Sequence, residues 1–223
     1  MIIFFIILEV VMKKIIYKSI KKQDYNYIGD LIVKAFKLDE YITNNSLLKT
    51  IKLHYVYGCL AEATYINIAE IDNKIVGIIM GNSSNDWKFF RHIHFIIFFM
   101  MYELKLWLLS YQYKEELASY RRIQQIYRNL LSKHKDEFDG VLTLFLVDEH
   151  YRKIGIGYKL LNNLLIYLKK QKTKKIYLYT DNTCNYIFYE KNGFKRIEED
   201  NLSTLKRGKE FNMTIFLYEY LLS

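Results

Sequence analysis

The sequence predicts a single mixed α/β domain, a central sheet flanked by helices, and three observations predict it. Short β-branched runs alternate along the chain with segments whose apolar residues recur at a helical spacing. Two such runs, TYINIAE (Thr64–Glu70) and IVGIIMG (Ile75–Gly81), are separated only by the turn Ile71-Asp72-Asn73-Lys74 and read as a hairpin. The apolar run VLTLFLV (Val141–Val147) ends in the charged turn Asp148-Glu149-His150-Tyr151, and after Arg152-Lys153-Ile154-Gly155-Ile156-Gly157 a helical period begins at once.

The 223 residues, 51% of them hydrophobic, suit one domain with a substantial core, and disorder is excluded. A formal net charge of +9 is compatible with anionic ligands, nucleic acid or a membrane surface, but it does not place the charge. With no aromatic-basic RNA motif and no recognition helix, nucleic acid is not an expected partner. The two cysteines, Cys59 and Cys184, lack disulfide or metal-ligand spacing, so no metal site is expected and the cytoplasm is the expected location. Residues 1–13 form an apolar extension beginning MIIFFIILEVV, too short to span a bilayer and without the positive start or cleavage site of a secretory signal. It reads as an extra strand, an upstream start or a short anchor, and the domain proper as 14–223.

In chain order, Lys14–Ile20 is a β-branched strand candidate. Asp24 stands at an N-cap position before Tyr27, Ile28, Leu31, Ile32, Ala35 and Phe36, which share one helical face. A second helix is expected from Ser46 to about Tyr57, with Leu47, Leu48, Ile51 and Tyr55 inward and His54 as a surface or packed residue. Gly77, inside a strand, marks a bulge, a close approach or simple packing.

Between Asn82 and Gly140 the pattern changes to two long helices, about Trp87–Ser110 and Tyr113–Lys133, forming a helical insertion between the third and fourth core strands. The first is strongly apolar from Phe95 to Tyr102, yet its length and its His92, His94, Glu103 and Lys105 argue against a membrane span. His92 and His94 point to different helical faces and make a poor metal pair. In the second, Leu117, Tyr120, Ile123, Ile126, Tyr127 and Leu130 form one stripe, with Arg121, Arg122 and Arg128 on the polar side.

Behind the glycines, Leu160, Leu161, Leu164, Leu165 and Leu168 recur on one face, and the helix closes in the basic run KKQKTKK. Ile176–Tyr179 is a strand, Asn182–Asn192 a helix with Gly193 as its C-cap, and Phe194–Ile197 and Asn212–Tyr218 are the last two strands. The strand, glycine loop and helix read either as a tight connection alone or as an anion site, where free amides of the first helical turn, its dipole, and Arg152 and Lys153 favour a phosphate or pyrophosphate.

With these residues laid out, the chain resembles the GNAT acetyltransferase superfamily, whose members transfer an acetyl group from acetyl-CoA to an amine. The Arg/Gln-x-x-Gly-x-Gly/Ala signature after the fourth strand is matched by Arg152, Gly155 and Gly157. A second signature, Asn, then Tyr seven residues on, then Gly-Phe, is matched by Asn182, Tyr189, Gly193 and Phe194. Where relatives carry a small residue midway between that Asn and Tyr, this chain has Asn185. The resemblance covers roughly Lys14 to Tyr218 and implies a mixed, splayed sheet with helices on both faces.

It further implies acetyl-CoA as donor and an amine acceptor on a small molecule or peptide. The loop amides of Arg152, Lys153, Ile154, Gly155, Ile156 and Gly157 would hold the pyrophosphate. The backbone of Val147 would pair with the pantetheine amides, and Asn182 would contact the same arm from the last helix. Tyr189 would protonate the departing thiolate. The general base stays open between Glu70, Asp148, Glu149 and a water relay. A non-catalytic acyl-CoA-binding module of the same fold is the alternative, and either would be a monomer or a homodimer. The insertion is expected to cover the acceptor side of the cleft.

Overall fold

The computed structural model describes residues 14–134, 136–206 and 209–222; the apolar extension at 1–13 lies outside them. Seven strands make one open sheet: β1 (Ile16–Lys18), β2 (Tyr65–Ile71), β3 (Lys74–Ser83), β4 (Gly140–Val147), β5 (Lys175–Asp181), β6 (Lys195–Lys206) and β7 (Lys209–Leu221), in the order β1-β2-β3-β4-β5-β7-β6. Six α-helices accompany it among the described residues: α1 (Tyr25–Phe36), α2 (Asn45–Glu62), α3 (Phe89–Leu109), α4 (Lys114–Ser132), α5 (Ile156–Lys170) and α6 (Ile187–Lys191).

Every neighbouring pair is antiparallel except β4 and β5, which α5 connects as a crossover and which therefore run parallel. That pair is short. Its register consists of Gly140 opposite Ile176 and Val141 opposite Tyr177, after which the two strands part. The expected splayed sheet is thus present, and the gap opens at its centre.

Helices cover both faces. On one, Leu160, Leu161, Leu164 and Leu168 of α5 are buried against Ile79, Leu142, Ile176 and Leu178. Glycines of β3 let α5 lie close: a Cβ at Gly81 would stand 2.6 Å from Leu164 Cδ1, and one at Gly77 would stand 3.1 Å from both Ile156 and Leu160. Gly77 therefore marks a close approach of helix to strand. On the other face, Ile28, Ile32, Val56 and Leu60 of α1 and α2 close over Ile68, Ile78, Met80 and Leu144.

The insertion between β3 and β4 is helical, as its pattern predicts. Helix α3 lies along α2, with His92 and Leu106 buried. By length and composition alone, α3 is long and apolar enough to cross a membrane. The length and charges read from sequence therefore do not exclude a span: 11% of the apolar window is buried in the protein, and His92, stacked on Trp87 with centroids 5.5 Å apart, is one of its two buried residues. Helix α4 lies on the far strands, burying Ile126 and Leu130 against Leu202, Ile215 and Leu217. No cluster of metal-ligating side chains occurs among the described residues.

The largest departures from the sequence reading lie at element boundaries. Helix α2 continues to Glu62, a full turn past Tyr57, with Asn44 Oδ1 capping its start by accepting from Leu47 N at 3.0 Å. The helix read at Asn182–Asn192 is only Ile187–Lys191, because Asp181 Oδ1 accepts from both Thr183 N and Thr183 Oγ1 and holds a turn at its start. Finally, β6 and β7 form a hairpin far longer than the two short runs expected, since the polar stretch Glu198–Thr204 has little period-2 apolar signal.

Leu164 is fully buried where α5 meets β3. Leu164→Ala should cost about 2–5 kcal/mol through lost transfer energy and an unfilled cavity, read as a fall in unfolding midpoint with secondary structure retained below it.

Candidate functional site

The parting of β4 and β5 leaves a cavity of about 990 Å³ that runs from the glycine loop, through the gap in the sheet, to the insertion. Its first wall is the edge of β4. Val147 stands opposite Gly77 on β3, and the next bond on that side is donated by Asp148 N to Val76 O at 2.9 Å. Val147 is thus in a pair whose own amide groups point away from β3, and by strand alternation so do those of Phe145. Beyond Val141 no strand among the described residues pairs with this edge. Arg152 Nε donates to Val147 O at 3.1 Å, leaving the Val147 N–H directed into the gap. An extended chain of amides could add here as a strand.

The second wall is the loop after β4. Lys153 and Gly155 both have positive φ, 66° and 88°, and α5 begins directly behind them. Alternating backbone handedness turns successive N–H groups to one side, making a concave anion site at a helix start. Arg152, Lys153, Gly155 and Gly157 line the cavity, whereas the side chains of Ile154 and Ile156 pack into the core, so only their amides are available. A Cβ on Gly155 would meet nothing within 4 Å; glycine is there for its backbone angle.

The third wall is the region after β5. Tyr189 lines the cavity from α6, its ring packed on Phe194, Phe188 and Phe145 at centroid distances of 5.6, 5.8 and 6.2 Å. Burial, reinforced by the Cys184 thiol and the Asp181 carboxylate, pushes its phenol above the ordinary tyrosine value, so it stays protonated. Burial and Asp181 likewise push the Cys184 thiol up to about 12, and burial pushes up the Cys59 thiol. Neither thiol is an activated nucleophile at neutral pH.

Asn182 is not brought to this cavity. It is exposed beyond the end of β5, before α6, and its Oδ1 accepts from Thr214 N at 3.1 Å, tying β5 to β7. Asp181, Thr183, Cys184 and Asn185 line the cavity instead. The three candidate bases also lie elsewhere. Glu70 is paired with Lys18 Nζ at 2.6 Å, Asp148 Oδ1 accepts from His150 N at 3.0 Å, and Glu149 is 3.3 Å from Lys34 Nζ on the surface.

The fourth wall was read only in part: Tyr55, Tyr120 and Tyr127 were placed on apolar helical faces, whereas Glu62, Thr143, Tyr177 and Tyr179 were not singled out. Glu62 ends the α2 stripe Tyr55, Cys59, Glu62, and Tyr120, Gln124, Tyr127 and Leu131 form the facing stripe of α4. Thr143 is the extra residue of β4 at a bulge, since Met80 pairs with Leu144 and Gly81 with Leu142. Tyr177 and Tyr179 face inward from β5. Thr143, the one polar residue in VLTLFLV, and the alternating tyrosines of YLYT were the available signals.

Residues 98–194 match the family model described as Acetyltransferase (GNAT) family. No curated protein matches the chain. Among solved structures, the PH1933 protein of Pyrococcus horikoshii OT3 is similar at 21% identity, over 92% of this chain and 97% of that one, with a TM-score of 0.55. An N-acetyltransferase of Staphylococcus aureus Mu50 is similar at 15% identity, over 94% and 99% of the two chains, with a TM-score of 0.51. A GNAT-family acetyltransferase of the same organism is 18% identical over 94% and 100%, also with a TM-score of 0.51. These likenesses show a GNAT fold.

Because a side chain at Gly155 meets no neighbour, Gly155→Ala isolates the cost of its positive φ. The variant should lose roughly 1–2 kcal/mol of stability in denaturant unfolding, with an unchanged slope; no loss would show that the loop relaxes freely.

Proposed function

We propose, from the premise that residues 98–194 match the GNAT acetyltransferase family and that the chain has that fold, that the protein transfers an acetyl group from acetyl-CoA to a primary amine by direct attack on the thioester. The observation that carries this is one cavity joining an anion-binding loop, an unpaired strand edge and a protonated phenol in sequence. A pyrophosphate, a chain of amides and a thioester follow one another in CoA in the same order.

The residues divide the work. Loop amides from Lys153 to Gly157, with the positive side chains of Arg152 and Lys153, hold the pyrophosphate with donors that need little reorganisation. The Val147 N–H pairs with a pantetheine carbonyl on the open edge of β4. Acetyl-CoA supplies an activated acyl carbon. Tyr189, kept protonated, gives its phenolic proton to the sulfur as the carbon–sulfur bond breaks, and the amine nitrogen forms the new bond to carbon. The protonated state of both cysteines favours this direct route over an acyl-cysteine relay.

Calorimetry tests the donor: saturable acetyl-CoA binding is expected, and none at millimolar concentration removes the proposal. Binding with no CoA release for any amine in a broad panel would leave a non-catalytic acyl-CoA module. Tyr189→Phe should lower kcat by about 10²-fold or more, the usual scale for losing a general acid, while leaving acetyl-CoA affinity close to that of the parent. An unchanged kcat would place the proton donor elsewhere.

A further inference from the structure

The end of the cavity farthest in sequence from the glycine loop is a chamber whose walls are aromatic and whose acidic equipment is narrow. Two carboxylates line the cavity, Asp181 and Glu62. Asp181 is spent on its own turn, accepting from Thr183 N at 2.8 Å and Thr183 Oγ1 at 2.5 Å. Glu62 has no cation within ion-pair distance among the described residues. It is open to water through the cavity yet ringed by protein, which raises its carboxyl above the ordinary glutamate value, with the Thr143 hydroxyl opposing the rise. Its charge adds to the burial that raises the Tyr177 and Tyr179 phenols, and both rings line the same cavity.

The rings are fixed in place. Tyr127 and Tyr179 stack with centroids 4.3 Å apart and planes 13° from parallel, and Tyr179 Oη donates to Tyr127 O at 2.6 Å. On the opposite side His54 stacks on Phe99 at 4.6 Å, with its Nε2 2.7 Å from Glu103 Oε2 and its Nδ1 2.9 Å from Tyr120 Oη. Burial lowers the His54 pKa, so it adds no fixed positive charge. Arg128 lines the cavity from the exposed side of α4, its guanidinium 2.8 Å from Gln125 Oε1.

A lone carboxylate set among tyrosine faces recognises one positive charge carried on a flat, apolar body, by ion pairing and by cation–π contact. We propose that this chamber is the acceptor site, that it selects monocationic arylalkyl primary amines, and that Glu62 binds their ammonium group and takes its proton. The assignment rests on the acetyltransferase reading for the fate of the amine, though not for its binding. In the step itself one ammonium proton passes to a Glu62 oxygen and the freed nitrogen pair attacks the acyl carbon; as the carbon–sulfur bond breaks the sulfur takes the Tyr189 proton, the second nitrogen proton returns to the Tyr189 oxygen to leave a neutral amide, and Glu62 releases its proton to water. An amino acid with the same ring would bring its own carboxylate beside Glu62 and be repelled. A polyamine would strand its further charges among the rings, which costs desolvation energy.

The test is calorimetric binding of 2-phenylethylamine to the full chain without acetyl-CoA, beside L-phenylalanine and spermidine. Phenylethylamine should bind, the other two should bind at least about tenfold more weakly, and Glu62→Gln should weaken phenylethylamine about tenfold or more, the scale of removing one partner of a desolvated ion pair. Tyr179→Leu, which keeps the carboxylate and removes a ring, should weaken it severalfold and serves should Glu62→Gln not fold. Equal binding of all three ligands, or affinity indifferent to both substitutions, overturns the proposal. Amine binding as stated with no acetyl-CoA binding would instead remove the acetyltransferase reading and leave the chamber standing.

Discussion

The separation of β4 from β5 is the constraint on which the rest of the structure depends. A parallel pair joined by a helix would ordinarily zip along its length and close the sheet. Here the pairing stops after Val141 and Tyr177, and six residues of β4 continue with a free edge. Unpaired backbone groups inside a protein are costly unless something satisfies them. The chain meets part of that demand itself, with the Arg152 guanidinium on Val147 O. The remainder faces the open cavity.

The gap also sorts electrostatics along one line. Exposed Arg152 and Lys153 and the amides of a helix start lie at one end, where an anion meets water and positive potential together. Inward of them, burial holds Tyr189, Cys184 and Cys59 in their neutral, protonated forms. At the far end Glu62 sits where its charge is least comfortable. Burial raises its carboxyl above the ordinary glutamate value, so a ligand that brings a cation beside it offsets part of that cost. Polarity therefore runs from the basic loop end to the acidic Glu62 end across a single cavity.

Which parts of this were legible in the sequence follows from the range of the interactions involved. The glycine loop, the leucine stripe of α5 and the insertion between β3 and β4 were readable, because each depends on residues a few positions apart. The place of Tyr189 on the cavity wall was readable through its signature. Asn182 belonged to the same signature, but its side chain is engaged by Thr214 on β7, a partner that no local pattern announces. The short α6 was overread, since the turn held by Asp181 consumes the residues before Ile187. Glu62 was invisible for a similar reason. Its neighbours come from β4 and β5, and it lies in a helical turn past the point where the apolar period fades.

The placement of the insertion shows how such a chamber can be added without disturbing the sheet. Its two ends meet where β3 finishes and β4 begins: Ser84 N donates to Asp139 O at 2.9 Å, and Asp139 Oδ2 and Oδ1 accept from Lys174 N and Lys175 N at 2.9 and 2.8 Å. With the ends pinned to adjacent strands, the length between them carries only a slowly growing closure cost, so two long helices are tolerated. Helix α4 is then held over the gap from the far side, by Ile126 and Leu130 on β6 and β7, while Tyr120 reaches His54 on α2. The roof of the chamber thus bridges the two halves of the sheet that the splay separates. A residue on α4 can change the width of the gap without touching the glycine loop, so acceptor shape can vary while donor binding is left as it is.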